Sequence, residues 1–253
     1  MNSLEILTLN CQGLRDIEKR RDVFNYLKQK KHHIYCLQDT HFTKNIESYV
    51  TGQWGYKCFY NSFSNNSRGV AILMNNNFDF EISKQYNDEG GNLIILNLKI
   101  ENEAYTLVNL YGPNQDKPCF YEHLFLMLDE FGKIIICGDL NLVLNPNIDT
   151  ENYRNINNPK ARQFLIQQIS SNHLHDIFRT CNPNLRKYTW KRKNPLKLAR
   201  LDYIMVSENI LLKVDKVKID IKYRSDHSPV IFKISSNRNR KRYMETEHFI
   251  TER

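Results

Sequence analysis

The sequence predicts an α/β fold, with two packed mixed β-sheets and helices outside them. Three observations lead there. Short apolar runs that read as strands outnumber helical patterns, and many are separated only by Asn/Ser/Gly clusters, as in hairpins. Amphipathic stretches fall between some of the strands. Finally, six apolar runs each carry a polar residue of catalytic type at one end. KIIICGDLN passes from a buried strand, Ile134 to Cys137, straight into Asp139 and Asn141; EILTLN ends at Asn10, IYCLQDTH holds Asp39, and TLVNLYGPN supplies Tyr111 and Asn114. RLDYIMV and SDHSPVIFKI carry Asp202 and the pair Asp226, His227 before their apolar residues. In an antiparallel arrangement those two kinds of end share one rim of a sheet, so one site of acids, amides and an imidazole is expected there.

In chain order, Leu4–Leu9 reads as a strand and Ile17–Lys30 as an amphipathic helix built on Ile17, Val23, Phe24 and Leu27. Ile34–Leu37, Tyr56–Tyr60, Val70–Met74, Phe78–Ile82, Leu93–Lys99 and Tyr105–Leu110 read as strands. Phe120–Glu130 reads as a helix, Ile134–Cys137 as the central strand, and Pro159 is placed to start a helix through Ile169. Lys187–Trp190, Leu201–Val206, Val214–Ile219 and Val230–Ile234 complete the strands. Residues 1–236 are expected to form one domain, and 237–253 a charged tail or a link to something longer.

At 253 residues with 41% apolar composition the chain can build a sizeable core. No apolar run approaches a membrane span, so no membrane partner is expected, and the first residues carry no basic, cleavable leader, so secretion is not expected either. The six cysteines lack CxxC spacing and read as free thiols, with Cys11, Cys36 and Cys137 in or beside apolar strands. Of the net charge of +8, the segment from Arg238 onward supplies +2 and the body +6. Ile177 to Leu201 contains eight Lys and Arg and no acid, a candidate phosphate-contacting surface in which Tyr188 and Trp190 interleave with the charge. The two-histidine pairs His32, His33 and His173, His175 read as surface residues without acidic companions.

Each chemical signal has a plain structural reading beside it. Asp139 and Asn141, two apart, would face one way and could hold a water beside a phosphate, yet Asp and Asn are equally at home in turns. An isolated Asp-His pair reads first as exposed loop; as a site it suits a metal ligand beside a group that stabilises a transition state. Asp202, entering a strand, needs a partner, for which an imidazole and the nearby Arg200 compete. Asn10, Asp39 and Asp226 offer only oxygen, which favours Mg²⁺ or, as a substitute, Mn²⁺. Tyr111 and Asn114 could bind a phosphate oxygen, or simply mark a Gly-Pro-Asn turn.

Taken in order, Asn10, QDT at 38–40, NLYGPN, GDLN, YTW at 188–190, RLDY and SDH resemble the motif series of the endonuclease/exonuclease/phosphatase superfamily, over about Leu4 to Ile234. NLYGPNQDKPCFYEHLF, LHDIFRTCNPNLRKYTW and RLDYIMVS are most similar to the endonuclease domain of LINE-type non-LTR retrotransposons. Apurinic endonucleases and pancreatic-type DNases share the core but resemble these stretches less. The resemblance implies a four-layered α/β sandwich and Mg²⁺-dependent nicking of double-stranded DNA in the nucleus. The nick would leave a 3′-OH that primes a reverse transcriptase region elsewhere in a larger protein. It implies that Asn10, Asp39 and Asp226 hold the metal, that Asp139 activates the attacking water and Asn141 positions it, and that His227, oriented by Asp202, stabilises the developing charge. Tyr111 and Asn114 would contact the scissile phosphate and Thr189 a neighbouring one. Lys191, Arg192, Lys193 and Arg200 would face DNA around a groove-probing hairpin at Lys191–Ala199. Two positions depart from the pattern. Asp39 stands where the family usually has Glu, a carboxylate shorter by about one C–C bond; Gln12 stands where repair-type apurinic endonucleases tend to have Asp. Gln12 tilts the choice toward the retroelement group; an apurinic-site repair enzyme and, because of Asp39, a catalytically impaired DNA-binding copy are the alternatives.

Overall fold

Helix formation begins at Asp16, whose carboxylate accepts the Lys19 N–H at 2.7 Å and so caps α1 (Ile17–Lys30). Val23, Phe24 and Leu27 give that helix one buried face, whereas Ile17 is 56% exposed and Arg20 takes the inward place expected of it. The computed structural model describes residues 3–128 and 132–235. Around α1 the chain runs through β1 (Ser3–Asn10), β2 (Ile34–Gln38), α2 (Glu47–Trp54), β3 (Cys58–Asn61), β4 (Val70–Met74), β5 (Phe80–Asn87), β6 (Leu93–Ile100) and β7 (Glu103–Tyr111). It continues with α3 (Pro118–Leu126), β8 (Lys133–Asp139), α4 (Pro146–Asp149), β9 (Thr150–Glu151), α5 (Pro159–Ser171), β10 (Leu174–Asp176) and α6 (Ile177–Cys181). The last elements are β11 (Trp190–Arg192), β12 (Lys197–Ala199), β13 (Asp202–Ser207), α7 (Glu208–Leu211), β14 (Val214–Ile219) and β15 (Val230–Ser235). The expected tail at 237–253 lies outside the described residues.

Two six-stranded mixed sheets form, in the orders β14-β15-β1-β2-β4-β3 and β10-β13-β8-β7-β6-β5. Their facing sides make the central core, with Ile6, Cys36 and Ile72 of one sheet in the same cluster as Leu96, Leu107 and Ile204 of the other. The outer face of the first sheet packs Leu7, Leu9 and Tyr35 against Phe24 and Leu27 of α1 and Trp54 of α2. The outer face of the second packs Val108 and Ile136 against Leu124 of α3 and Leu165 of α5. Four layers result. Because the middle strands are covered on both sides, they read as continuous apolar runs rather than alternating ones.

The topology brings the polar strand ends together. β1 runs parallel to β2, and β7 parallel to β8, so Asn10, Gln38, Tyr111 and Asp139 end their strands on one rim. β13 is antiparallel to β8 with Asp202 opposite Asp139, and β15 is antiparallel to β1, so the two strands with polar starts deliver them to that same rim. Gly138 makes the approach of β7 and β8 feasible: at φ +147° it sits where a Cβ would stand 1.9 Å from the Leu110 carbonyl oxygen.

Several expectations are corrected. β5 extends five residues past Ile82, through polar sequence, because as an edge strand it buries at most one face. The strand expected at Lys187–Trp190 begins only at Trp190, and α2 has no counterpart among the expected elements, its apolar anchors being just Val50 and Trp54. His32 is buried, 2.6 Å from the Glu5 carboxylate, and the His33 ring accepts the Glu5 N–H, so this pair is not a surface pair. Arg200, expected to face DNA, is 1% exposed. Its guanidinium binds Asp149 through two bonds (2.9 and 2.7 Å) and Asp176 through two more (3.0 and 2.6 Å), with Arg179 also on Asp149. Arg200 follows β12 and Asp149 precedes β9, so this network fastens the β11–β12–β9 sheet to the body. Thr189 is 1% exposed, and its hydroxyl oxygen accepts the N–H groups of Leu201 and Asp202, a clamp within the scaffold with no surface for a phosphate.

Removing one member of a buried charge network leaves its partner uncompensated, so Asp149→Ala is expected to destabilise the protein by about 3–5 kcal/mol, read as a lowered midpoint in urea unfolding.

Candidate active site

Asp139 stands at the end of β8 with no exposed surface, and each of its oxygens is held. Oδ2 accepts from the Asn10 amide at 2.8 Å and Oδ1 from the Asn141 N–H at 2.8 Å. Asn141 takes the left-handed conformation (φ +49°) that asparagine tolerates better than most residues, and its side-chain amide donates to the Gly112 carbonyl at 2.7 Å. Asp202 lies across from Asp139, and its Oδ2 is 2.7 Å from His227 Nδ1. The imidazole, not Arg200, is therefore its partner. Asp202 Oδ1 is buried without a hydrogen-bond partner. His227 Nε2 faces Asp139 Oδ2 at 3.9 Å and Asp226 Oδ1 at 4.0 Å.

These surroundings reset the proton affinities. Burial, and next the Asp202 charge, push Asp139 up to about 7, against the pull of His227, the Asn141 N–H and Asn10. Burial opposes charge on His227, but Asp202, by charge and hydrogen bond, with Asp139 and Asp226 behind it, lifts the imidazole to about 9. Burial and then the Asp39 and Asp139 charges raise the Tyr111 phenol, against a smaller pull from Asn141 and Asn114, so it stays protonated at neutral pH.

All eight of Asn10, Asp39, Tyr111, Asn114, Asp139, Asn141, Asp226 and His227 line one cavity of about 290 Å³, which Tyr153, Ile156, Trp190 and Leu201 also line. A second cavity of about 430 Å³ abuts it, shares Asp39, Tyr111 and Asn114, and adds His41, Arg68 and Lys117. The expected DNA-facing residues Lys191, Arg192 and Lys193 are exposed on the β11–β12 hairpin and the turn after β11. Of the residues expected from the sequence, those eight meet at one cleft; Asp202 is buried against His227, Lys191, Arg192 and Lys193 stand on the hairpin, and Thr189 and Arg200 are buried in the scaffold.

Asn10, Asp39 and Asp226 form an oxygen donor set. Asp226 commits Oδ2 to the Trp190 indole N–H (3.0 Å) and Asp39 commits Oδ1 to the Arg68 N–H (2.9 Å) and His41 Nε2 (3.1 Å), so each keeps a second oxygen. Asn10 Oδ1 accepts the Gln12 N–H and retains a lone pair. This set fits a hard divalent cation completed by water. Asp139, Asp202 and His227 also bring ligand atoms within 4.8 Å of one another, among the described residues, but two of the three are spent on each other.

Some contributors lie outside the expected set. Ser225 donates to the Asn10 carbonyl (2.8 Å) and accepts the His227 N–H (3.1 Å), tying the His227 loop to β1; its place in the SDH triplet is the available signal. Gln38 bridges the sheets beneath the site, donating to Asn109 Oδ1 at 2.7 Å and Thr8 Oγ1 at 2.8 Å. Asn158 reaches the carbonyls of Pro113 and Asn141, and nothing in its sequence context marks it.

The sequence profile described as "Endonuclease/Exonuclease/phosphatase family" matches residues 7–227. The chain is 27% identical over 244 residues to a Xenopus laevis protein, "Transposon TX1 uncharacterized 149 kDa protein", in a match covering 92% of this chain and 18% of that one. It therefore spans under a fifth of the length of that relative. It is also 27% identical over 256 residues to an exodeoxyribonuclease of Bacillus subtilis (strain 168), covering 90% of this chain and 98% of the other. An AP endonuclease structure from Archaeoglobus fulgidus superposes with a TM-score of 0.75 at 24% identity, covering 92% of this chain and 100% of that one, which shows the shared fold.

Pairing with Asp202 contributes stability that is complete below the ordinary imidazole value of 6.5 and is lost as pH rises through about 9. An NMR titration of the His227 ring is expected to show its midpoint near 9 in the native protein and a clearly lower one in Asp202→Asn.

Proposed function

Since the chain belongs to the endonuclease/exonuclease/phosphatase family, we propose that it is a divalent-metal-dependent phosphodiesterase that nicks one strand of double-stranded DNA in the nucleus. The nick leaves a 3′-OH that primes reverse transcription by another region of a longer protein. One observation carries this reading: a buried Asp139–Asp202–His227 cluster opens into a cleft flanked by the basic Lys191–Lys193 hairpin. The likeness to a transposon protein much longer than this chain supports the role in retrotransposition.

The residues divide the work as follows. Asp139, with a pKa near the working pH, takes the proton from the attacking water, and Asn141 fixes the carboxylate that does so. His227 is protonated at neutral pH; its Nδ1–H is held by Asp202, which leaves Nε2–H to donate to a phosphate oxygen as charge builds there. Nε2 and Asp139 Oδ2 stand 3.9 Å apart, so both groups would reach the phosphate from the same wall of the cleft. Tyr111 O–H and the Asn114 amide donate to the same phosphate from the opposite loop. Asn10, Asp39 and Asp226 would hold a divalent cation, Mg²⁺ or Mn²⁺ in its place, which neutralises phosphate charge and stabilises the leaving oxygen. Lys191, Arg192 and Lys193 attract the backbone without reading sequence, so site preference would come from groove width and step flexibility.

Two alternatives have their own observations. The Tyr153, Ile156, Trp190 and Leu201 wall could receive a sugar without its base, as an apurinic-site repair enzyme requires. The commitment of the shortened Asp39 to Arg68 and His41 favours an impaired, DNA-binding copy.

Supercoiled plasmid incubated with Mg²⁺ or Mn²⁺ is expected to relax, with 3′-OH ends at the nicks. Asp139→Ala and His227→Ala should each slow this by roughly 100- to 10,000-fold. The rate should rise with pH through about 7, as Asp139 loses its proton, and fall through about 9, as His227 loses its own. A native chain that binds DNA but never nicks, beside an Asp39→Glu variant that does, would establish the impaired copy; cutting confined to abasic duplexes would establish the repair enzyme. Changing Lys191, Arg192 and Lys193 to Ala should flatten the salt dependence of DNA binding by roughly 0.9 log units per log unit of salt for each phosphate that those side chains neutralise.

A further inference from the structure

Resting on the phosphodiesterase reading, we propose that the larger cavity beside the cleft is a second phosphate subsite, where Arg68 and Lys117 grip the backbone phosphate next to the one being cut. That cavity, of about 430 Å³, is lined by residues that all fall between Asp39 and Phe120. It shares Asp39, Tyr111 and Asn114 with the catalytic cavity, which in turn adjoins the basic hairpin through Trp190. A strand whose scissile phosphate meets Tyr111 and Asn114 therefore continues into it. DNA carries a charge at every backbone step, so a cavity in that place has a phosphate to receive.

The cations in this cavity are uncommitted. A guanidinium has five N–H donors. In Arg68 one nitrogen, Nη1, reaches the Gly90 carbonyl at 3.3 Å, and among the described residues no carboxylate pairs with it. The group lies over the Phe63 ring, 4.8 Å from its centroid, which sets its plane and leaves its edge for an anion. Phe63 is itself seated against Gly91, where a Cβ would stand 2.4 Å from that of the phenylalanine. Lys117 is exposed, and the carboxylate next to it in the chain, Asp116, is spent on the Lys160 and Ala161 N–H groups at 3.1 and 2.7 Å. Asn66, Ser67 and Asn92 add neutral donors. Asp39 is the one acid among the lining residues, and the Arg68 backbone N–H holds its Oδ1 at 2.9 Å. Arg68 thus faces the phosphate with its side chain and steadies Asp39 with its backbone, so filling the subsite sets the strand in register with the chemistry. A bond at the strand end on that side leaves the subsite empty, so the chain is expected to cut within strands in preference to trimming that end.

The test uses the whole chain with Mg²⁺ or Mn²⁺ and a duplex carrying one mapped nick site. Single methylphosphonates, which remove the charge of one linkage, are placed in turn on each neighbour of the scissile bond. Neutralising one flanking linkage is expected to lower kcat/KM by roughly tenfold or more, the scale of a hydrogen bond to a charged group. In Arg68→Gln the unmodified duplex should be cut more slowly by a similar factor, and the methylphosphonate at that linkage should cost little more. Lys117→Gln, at an exposed position, is the second variant and should also blunt the sensitivity. A native chain indifferent to every flanking linkage, undiminished sensitivity in either variant, or equal rates at interior and terminal bonds would each overturn the inference. Binding of the same duplexes in EDTA separates it from the nuclease reading. A native chain whose affinity drops at that one linkage but which never nicks refutes cleavage alone, and one that nicks with no such dependence refutes only the subsite.

Discussion

Two hydrogen bonds close the gap between the sheets at one rim, Asn10 to Asp139 and His227 to Asp202. Each joins a residue of the first sheet, or of the turn entering it, to a residue of the second. Face-packed sheets stand about 10 Å apart, a distance two polar side chains span only when they reach from both sides. The central core fixes that spacing, and the Gln38–Asn109 bridge beneath the rim keeps a polar contact at the same depth. The cleft is therefore a property of how the layers pack. A change in core volume far from Asp139 acts on the chemistry by altering the separation its partners must cross.

The price of that arrangement is electrostatic. Two carboxylates are buried opposite each other, and one of them, Asp202, has an oxygen with no partner. An unpaired buried polar atom costs free energy that the fold supplies from its apolar layers. The imidazole relieves part of the repulsion by staying charged, and Asp139 relieves more by holding its proton into the neutral range. The same strain that weakens the fold poises one group to accept a proton and the other to keep one.

Much of this is legible in the sequence. The boundaries of α1, β4 and β14 agree with the apolar pattern to the residue, and the shared rim follows from which end of each strand carries its polar group. Strand ends are readable because a polar residue closing an apolar run has few reasons to be there. Illegible is the fate of residues whose type is ambiguous without neighbours. Arg200 and Lys191 are both cations in one acid-free stretch; only the fold shows that Asp149 and Asp176, distant in sequence, claim the first. Thr189 passes for a phosphate ligand because its hydroxyl can serve either solvent or scaffold. Asn158 acts through an amide that carries no local signature, and the QDT triplet that contains Gln38 does not reveal that its amide bridges the two sheets.

The network around Arg200 fastens the basic hairpin from behind, through the strand ends at Ala199 and Asp149. The turn at residues 193–196 projects beyond that anchorage into solvent. Fixing a loop by its roots leaves its apex outside the packing that holds the cleft, so exchanging residues 193–196 would leave the buried Asp139, Asp202 and His227 arrangement standing.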